Sequence, residues 1–264
     1  MQRNPLTLLN DPMKEIILNK LTQLEKDHDI RILMACESGS RAWGFPSPDS
    51  DYDVRFVYAN KTDWYLSINE KTDVVDLPVN EVLDINGWDV RKTLRLMAKS
   101  NAVIFEWIQS PILYRHNEDF LKGIHTIAPD CFSPIAAMHH YLSMAKKKYE
   151  ECVSAEDVKL KHYMYCLRAT LSGLWIAHRR TIPPMELTPL LDELPETRTK
   201  NTVKKLVGLK ATKEESYRHP HEEELDSFLR RAIHRCEIVA PSLPAQKPDH
   251  SKIDILFRQT LELQ

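Results

Sequence analysis

The hydrophobic period of this 264-residue chain changes once, near residue 91, and that change restricts the fold more than any other feature. Ahead of it, a helix-spaced set (Ile16, Ile17, Leu21, Leu24) predicts an amphipathic helix over 12–27. Short runs rich in β-formers follow: Ile30 to Ala35, Tyr52 to Tyr58, and about Val82 to Trp88. Beyond it the period stays helical, predicting helices over 90–99, 102–109, 134–151, 156–180, 197–209 and 221–238. Asp89 stands where an N-cap belongs, and breaks fall at Pro129–Pro134, Pro183-Pro184 and Pro241–Asp249. With no internal repeat, the pattern describes an α/β front end and a helical back end dividing near residue 110.

Composition narrows the function classes. Lys and Arg total 36 against 38 Asp and Glu, so no global positive field advertises nucleic acid and any such contact must be local. The 5 cysteines are odd in number and form no Cys-x-x-Cys pair, which argues against a disulfide framework and structural zinc. No apolar run is long enough to cross a bilayer and Met1 to Pro5 lacks a secretory leader, so the expected setting is the reduced cytoplasm, without a membrane partner.

The informative stretch is Gly39-Ser40, followed after a proline-containing loop by Asp51-Tyr52-Asp53. On a strand, Asp51 and Asp53 point to one face and Tyr52 to the other. Paired carboxylates repel unless a cation lies between them, and oxygen-only ligands suit a hard divalent ion, Mg²⁺ before Zn²⁺. A glycine upstream lets the backbone approach an anion. A phosphate cradle beside a metal-binding pair is the equipment of phosphoryl or nucleotidyl transfer. Either element alone is commonplace, since Asp-x-Asp also serves solubilising edge strands; it is their order, each set on a predicted strand, that points to function.

Gly-Ser followed by an acidic-x-acidic strand resembles the signature of the DNA polymerase β-type nucleotidyltransferase superfamily. The longer strings Glu37-Ser38-Gly39-Ser40-Arg41-Ala42-Trp43-Gly44 and Ser47-Pro48-Asp49-Ser50-Asp51-Tyr52-Asp53-Val54-Arg55 resemble a narrower branch, the RNA-ligase-associated (RlaP-like) nucleotidyltransferases. Supporting matches are Asp84-Ile85-Asn86-Gly87-Trp88-Asp89, Glu106-Trp107 with Ser110-Pro111, and Lys161 to Arg168. The resemblance implies an α+β fold: a small mixed β-sheet nucleotidyltransferase domain (1–110), then an all-helical C-terminal domain (111–264) presenting the acceptor. It also implies a third carboxylate beside the paired aspartates. Asp84 and Asp89 compete for that place, and Asp84 is preferred because Asp89, five residues on, faces the other way unless Gly87 forms a bulge. Asp51, Asp53 and Asp84 would then be the catalytic, metal-binding set for Mg²⁺ (Mn²⁺ the alternative), with a nucleoside triphosphate as substrate. Gly39, Ser40 and Arg41 would hold its phosphates.

In the helix predicted over 156–180, Lys161, Tyr165 and Arg168 form a stripe beside the core stripe. Lys161 and Arg168 are expected on phosphates and Tyr165 against a base, the competing reading being a buried Arg–carboxylate brace. Arg55 shares the Asp53 face and pairs with a carboxylate or a phosphate. His139-His140 and His219-Pro220-His221 lack partners at metal-ligand spacing, and Lys146-Lys147-Lys148-Tyr149 reads as a solvated helix end. The leading expectation is transfer of a nucleoside monophosphate to an acceptor hydroxyl. An RNA end is favoured as acceptor by analogy with the family. A protein or small-molecule acceptor and a non-catalytic nucleotide- or RNA-binding module are the alternatives.

Overall fold

A computed structural model describes residues 12–77, 82–194 and 198–262. The chain begins with helix α1 (Pro12–His28), strand β1 (Arg31–Ser38), the short helix α2 (Gly39–Trp43) and strand β2 (Tyr52–Ala59). Then come α3 (Thr62–Tyr65), β3 (Val74–Asp76), β4 (Leu83–Asp89), α4 (Val90–Ala98), α5 (Ala102–Trp107) and β5 (Leu113–His116). The remainder is α6 (Glu118–Cys131), α7 (Pro134–Val153), β6 (Val158–Lys159), α8 (Leu160–Arg179), α9 (Leu187–Leu190), α10 (Arg198–Lys210), β7 (Arg218–His219), α11 (Glu223–Val239) and α12 (His250–Glu262).

Five strands form a mixed sheet in the order β3-β4-β2-β1-β5, and β6 pairs separately with β7. Only β2 and β4 run parallel, as the crossover through α3 and β3 requires. Their register, Tyr52 opposite Leu83 through Tyr58 opposite Asp89, has no shift, so Gly87 makes no bulge. Gly87 is there because the Phe56 ring lies on it: a Cβ at that position would sit 2.1 Å from Phe56 Cζ. Strand β1 is buried on both faces, which its unbroken apolar run Ile32 to Cys36 anticipates. One face packs on Ile17, Leu21 and Leu24 of α1, the other on α4, α5 and the helices behind them.

The division expected near residue 110 does not coincide with a break in packing. Strand β5 lies beyond it yet joins the sheet edge against β1. At the far end of the chain α12 returns to the front, where Phe257 meets the Tyr65 ring and Arg31 donates to the Thr260 carbonyl. The helix predicted from 156 starts only at Leu160, because Val158 and Lys159 pair with His219 and Arg218. Pro129 does not break its segment: α6 runs through it, and the interruption falls at Phe132 and Ser133.

Candidate active site

The sheet brings Asp53 and Asp84 together. Asp53 lies opposite Ser38 on one side and Asp84 on the other, so the two carboxylates stand side by side on parallel strands. Arg55, two residues on and hence on the same face, binds both: its Nη2 is 3.3 Å from Asp53 Oδ1 and 2.7 Å from Asp84 Oδ2. Its Nη1 donates to the carbonyls of Val54 and Asp84. Among the described residues no hydrogen bond or ion pair engages Asp53 Oδ2 or Asp84 Oδ1. Burial raises the Asp53 carboxyl above its ordinary pKa against the opposing pull of Arg55, and the neighbouring Asp84 and Asp51 raise it further.

Gly39 meets this pair directly. Its φ is +63°, and a Cβ would sit 2.0 Å from Asp53 Oδ2. Only glycine both adopts that backbone and lets the carboxylate close onto the turn. From below, Glu37, wholly buried, accepts the Asp53 backbone N–H at 2.8 Å and the Tyr114 hydroxyl. Burial pushes the Glu37 carboxyl up to about 7. Glu37 flanks the Gly-Ser pair in sequence, but its role is visible only once the opposite strand is in register.

Asp51 does not share the strand. β2 begins at Tyr52, and Asp51 ends the preceding loop, exposed. It nevertheless lies close enough to act electrostatically on Asp53 and Lys161. Arg41 is a correction: the guanidinium expected on phosphates donates to the carbonyls of Ser50 (2.7 Å) and Asp51 (3.0 Å) and stacks 3.8 Å over the Tyr52 ring. It braces the loop that carries Asp51. Ser40 is 4% exposed, and its hydroxyl donates to Ser50 Oγ at 3.1 Å, so that side chain too is engaged within the loop.

Of the two contenders for third carboxylate, the structure puts Asp84 beside Asp53 and takes Asp89 away. Asp89 is wholly buried on the other face, caps α4 through the Arg91 N–H, and accepts from Asn60 Nδ2 and Tyr65 Oη.

The α8 stripe divides. Lys161 borders the site, ion-paired with Glu215; burial works most strongly against its ammonium, but the hydrogen bond to Glu215 and the charge interactions with Tyr165, Glu215 and Asp51 together outweigh it and raise its pKa. Tyr165 packs edge-on against Trp43, ring centroids 5.0 Å apart, and against Phe45. Arg168 is the second correction. It is 1% exposed, lies 3.0 Å from Glu106 Oε1, donates to the Met185 carbonyl and stacks 4.3 Å from the Trp43 ring. Glu106 also accepts from Tyr141 Oη and Trp43 Nε1. This is the buried brace, and a guanidinium so deeply buried is closed to a ligand even though its Nη2 makes no hydrogen bond.

Sequence reasoning missed Glu215, Lys210 and Asp49. Glu215 accepts from Ser50 Oγ at 2.9 Å, its N–H donates to the Asp49 carboxylate, and Lys210 Nζ donates to Ser47 Oγ at 2.7 Å. More than 160 residues separate the partners, and no local pattern announces them.

Three carboxylates are oxygen-only donors, which suits Mg²⁺ in kind. As arranged, two of them share one guanidinium, and among the described residues no group of three His, Cys, Asp or Glu side chains is set to hold a metal ion. His219 and His221 pair with Glu222 and Asp226. All five cysteines are free and buried. Among the described residues no helix is long and apolar enough to cross a membrane.

Comparison with known proteins places this geometry in context. The model of a family described as "RNA repair pathway DNA polymerase beta family" matches residues 13–259. The chain is 39% identical over 252 residues to the Bacillus subtilis (strain 168) protein YcgL, covering 95% of this chain and 97% of that protein. It is 27% identical over 143 residues to the Drosophila melanogaster tRNA (34-2'-O)-methyltransferase regulator WDR6, a match spanning 51% of this chain and 13% of that protein. A nucleotidyltransferase-like protein from Exiguobacterium sibiricum 255-15 aligns over 86% of this chain and 75% of its own, at 12% identity and a TM-score of 0.28.

Proposed function

This chain belongs to the RNA repair pathway DNA polymerase beta family, and from that premise we propose that it transfers a nucleoside monophosphate from a nucleoside triphosphate to an acceptor hydroxyl, with an RNA end as the acceptor. The observation that carries the reading is the in-register pair Asp53–Asp84, with Asp51 at the same end of the sheet and Gly39 pressed against Asp53.

Asp51, Asp53 and Asp84 would hold Mg²⁺, or Mn²⁺ in its place. When bound, the metal supplies Lewis-acid stabilisation of phosphate charge and activates the attacking hydroxyl. The chain's own residues do the positioning. Glu37 fixes the Asp53 backbone, Arg41 fixes the Asp51 carbonyl, and Arg55 offsets the repulsion between Asp53 and Asp84. Gly39 lets the Asp53 carboxylate close onto the turn, and Lys161 supplies a cation at the cleft edge. Catalysis then rests on preorganised charge, with no covalent nucleophile. The five free, buried cysteines fit the reducing cytoplasm.

The test is incubation with each α-labelled triphosphate, Mg²⁺ or Mn²⁺, and a panel of RNA ends, tRNA, proteins and small hydroxylated molecules. Label transferred to RNA, and abolished in the Asp51→Asn, Asp53→Asn double variant, is the expected result. Label on protein or on a small molecule moves the acceptor. Nucleotide binding without pyrophosphate release makes this a binding module, and transfer surviving in the double variant sinks the carboxylate assignment.

A further inference from the structure

The loop 47–51 carries Asp51 and packs against Ser40; besides the local brace from Arg41, it is held by residues more than 160 positions along the chain. Ser50 is its hub. Its hydroxyl accepts from the Ser47 N–H (2.9 Å) and from Ser40 Oγ (3.1 Å), and donates its one proton to Glu215 Oε1 (2.9 Å). Those three bonds use the full capacity of a hydroxyl, so donation runs from Ser40 through Ser50 and ends on Glu215. The other oxygen of Glu215 takes the Lys161 ammonium, and its backbone N–H donates to both Asp49 oxygens at 2.9 and 3.1 Å. One residue thereby ties the Asp51 loop to the cation of α8.

Lys210 is the more telling member. It is 1% exposed, its Nζ donates to Ser47 Oγ at 2.7 Å, and no carboxylate lies within ion-pair distance among the described residues. A buried ammonium facing one neutral hydroxyl has lost most of its hydration without a direct counter-ion, a net cost to folding. Nearby Glu215 and Asp49 repay part of it through space, and burial still lowers the Lys210 pKa. For stability alone, an unbranched apolar side chain of similar length would serve as well or better.

We propose that Lys210 and Glu215 are positioning residues that hold the loop 47–51, so that Asp51 faces Asp53 and Lys161 in the geometry a metal–triphosphate complex needs. The inference rests on the nucleotidyltransferase reading and adds to it: the helical part supplies the second wall of the nucleotide site through side chains that never touch the nucleotide.

The experiment measures the affinity of the intact protein for a fluorescent trinitrophenyl-ATP probe with Mn²⁺, alongside thermal midpoints, in Lys210→Met, Lys210→Arg, Glu215→Ala and Glu215→Gln. Lys210→Met is expected to keep its midpoint within about 3 °C of wild type, or exceed it, while binding weakens about tenfold or more. Glu215→Ala weakens binding about tenfold, whereas Glu215→Gln, whose carboxamide oxygen still accepts from Ser50, stays within about threefold. Lys210→Arg, which keeps the charge and a donor to Ser47, recovers part of the affinity lost in Lys210→Met. Binding unchanged in both Lys210→Met and Glu215→Ala overturns the proposal. So does a loss of binding that tracks a fallen midpoint and that Glu215→Gln fails to rescue. A wild-type protein that binds no triphosphate probe removes the nucleotidyltransferase premise itself, an outcome distinct from both.

Discussion

Two arginine–carboxylate clusters built from similar chemistry differ in their access to water. In one, Arg168 and Glu106 are 1% and 11% exposed. Glu106 spends Oε1 on Arg168 and Tyr141 and Oε2 on Trp43, while Arg168 also holds the Met185 carbonyl and covers an indole. In the other, Arg55 is 18% exposed between Asp53 and Asp84 at 32% and 30%, and each aspartate has one oxygen engaged by it and one left over. Solvent access, rather than the number of bonds, separates a brace from a site: Arg168 Nη2 makes no hydrogen bond yet is sealed from water, while Arg55 makes four at the surface. A charge shut away from water can only hold structure, whereas a carboxylate at the surface with an oxygen left over can exchange partners.

Truncating Arg168 should give the largest effect. Arg168→Ala leaves Glu106 buried without its counter-ion, and a loss of about 3–5 kcal/mol in denaturant unfolding is expected. Transfer per folded molecule should survive; a selective loss of turnover at unchanged stability would break the comparison and return Arg168 to the site. Next in size is the contrast between two aspartates on one strand. Asp84→Asn should lower transfer by about 10²–10³-fold with the thermal midpoint nearly intact. Asp89→Ala should leave turnover in place and cost about 1–2 kcal/mol as a lost helix cap. The reverse result would show that the α4 cap, not the half-exposed partner of Asp53, is the third carboxylate.

The smallest effect concerns a third cluster, one near the surface. His221 presents Nε2 to the Ala155 carbonyl and Nδ1 to Asp226, both acceptors, so only the imidazolium satisfies both ring nitrogens. These two bonds hold its pKa above the ordinary histidine value. Its contribution is therefore fully present below the unfolded pKa of about 6.5 and is lost as pH rises through the higher folded value. For a pair this near the surface it amounts to a few tenths of a kcal/mol. Wild type minus His221→Gln, followed by thermal unfolding from pH 5 to 9, should show that decline, and a difference that grows with pH would contradict it.

Local order carried much of this into the sequence. The three main strands and the capping role of Asp89 follow from local pattern, and odd spacing sets Asp89 on the face opposite Asp84; that Asp84 stands beside Asp53 is implied by the family resemblance, since alternation within one strand does not give the register between two. The Arg168 stripe did not resolve the same way. Helical spacing predicts that Arg168 flanks the core stripe, but whether it lines a cleft or a brace depends on Glu106, Trp43 and Tyr141, which arrive from α5, α2 and α7. Asp51 likewise reads as a strand residue by alternation, and only the Arg41 bonds to the loop carbonyls show that it lies just outside β2.

By itself the sequence determined the alternation that gives the sheet its faces, the glycine that a φ of +63° demands, and the carboxylates available at its end. Those depend on neighbours a few residues apart, whose directions backbone geometry dictates. Tertiary structure alone decided which charges are sealed and which stay open: Arg168 is buried, Asp53 keeps an oxygen, and Lys210 and Glu215 reach the loop from some 165 residues away. The physical reason is that a charged group's role depends on its solvation and on how many partners it is given, and both are properties of packed neighbours that chain spacing does not encode.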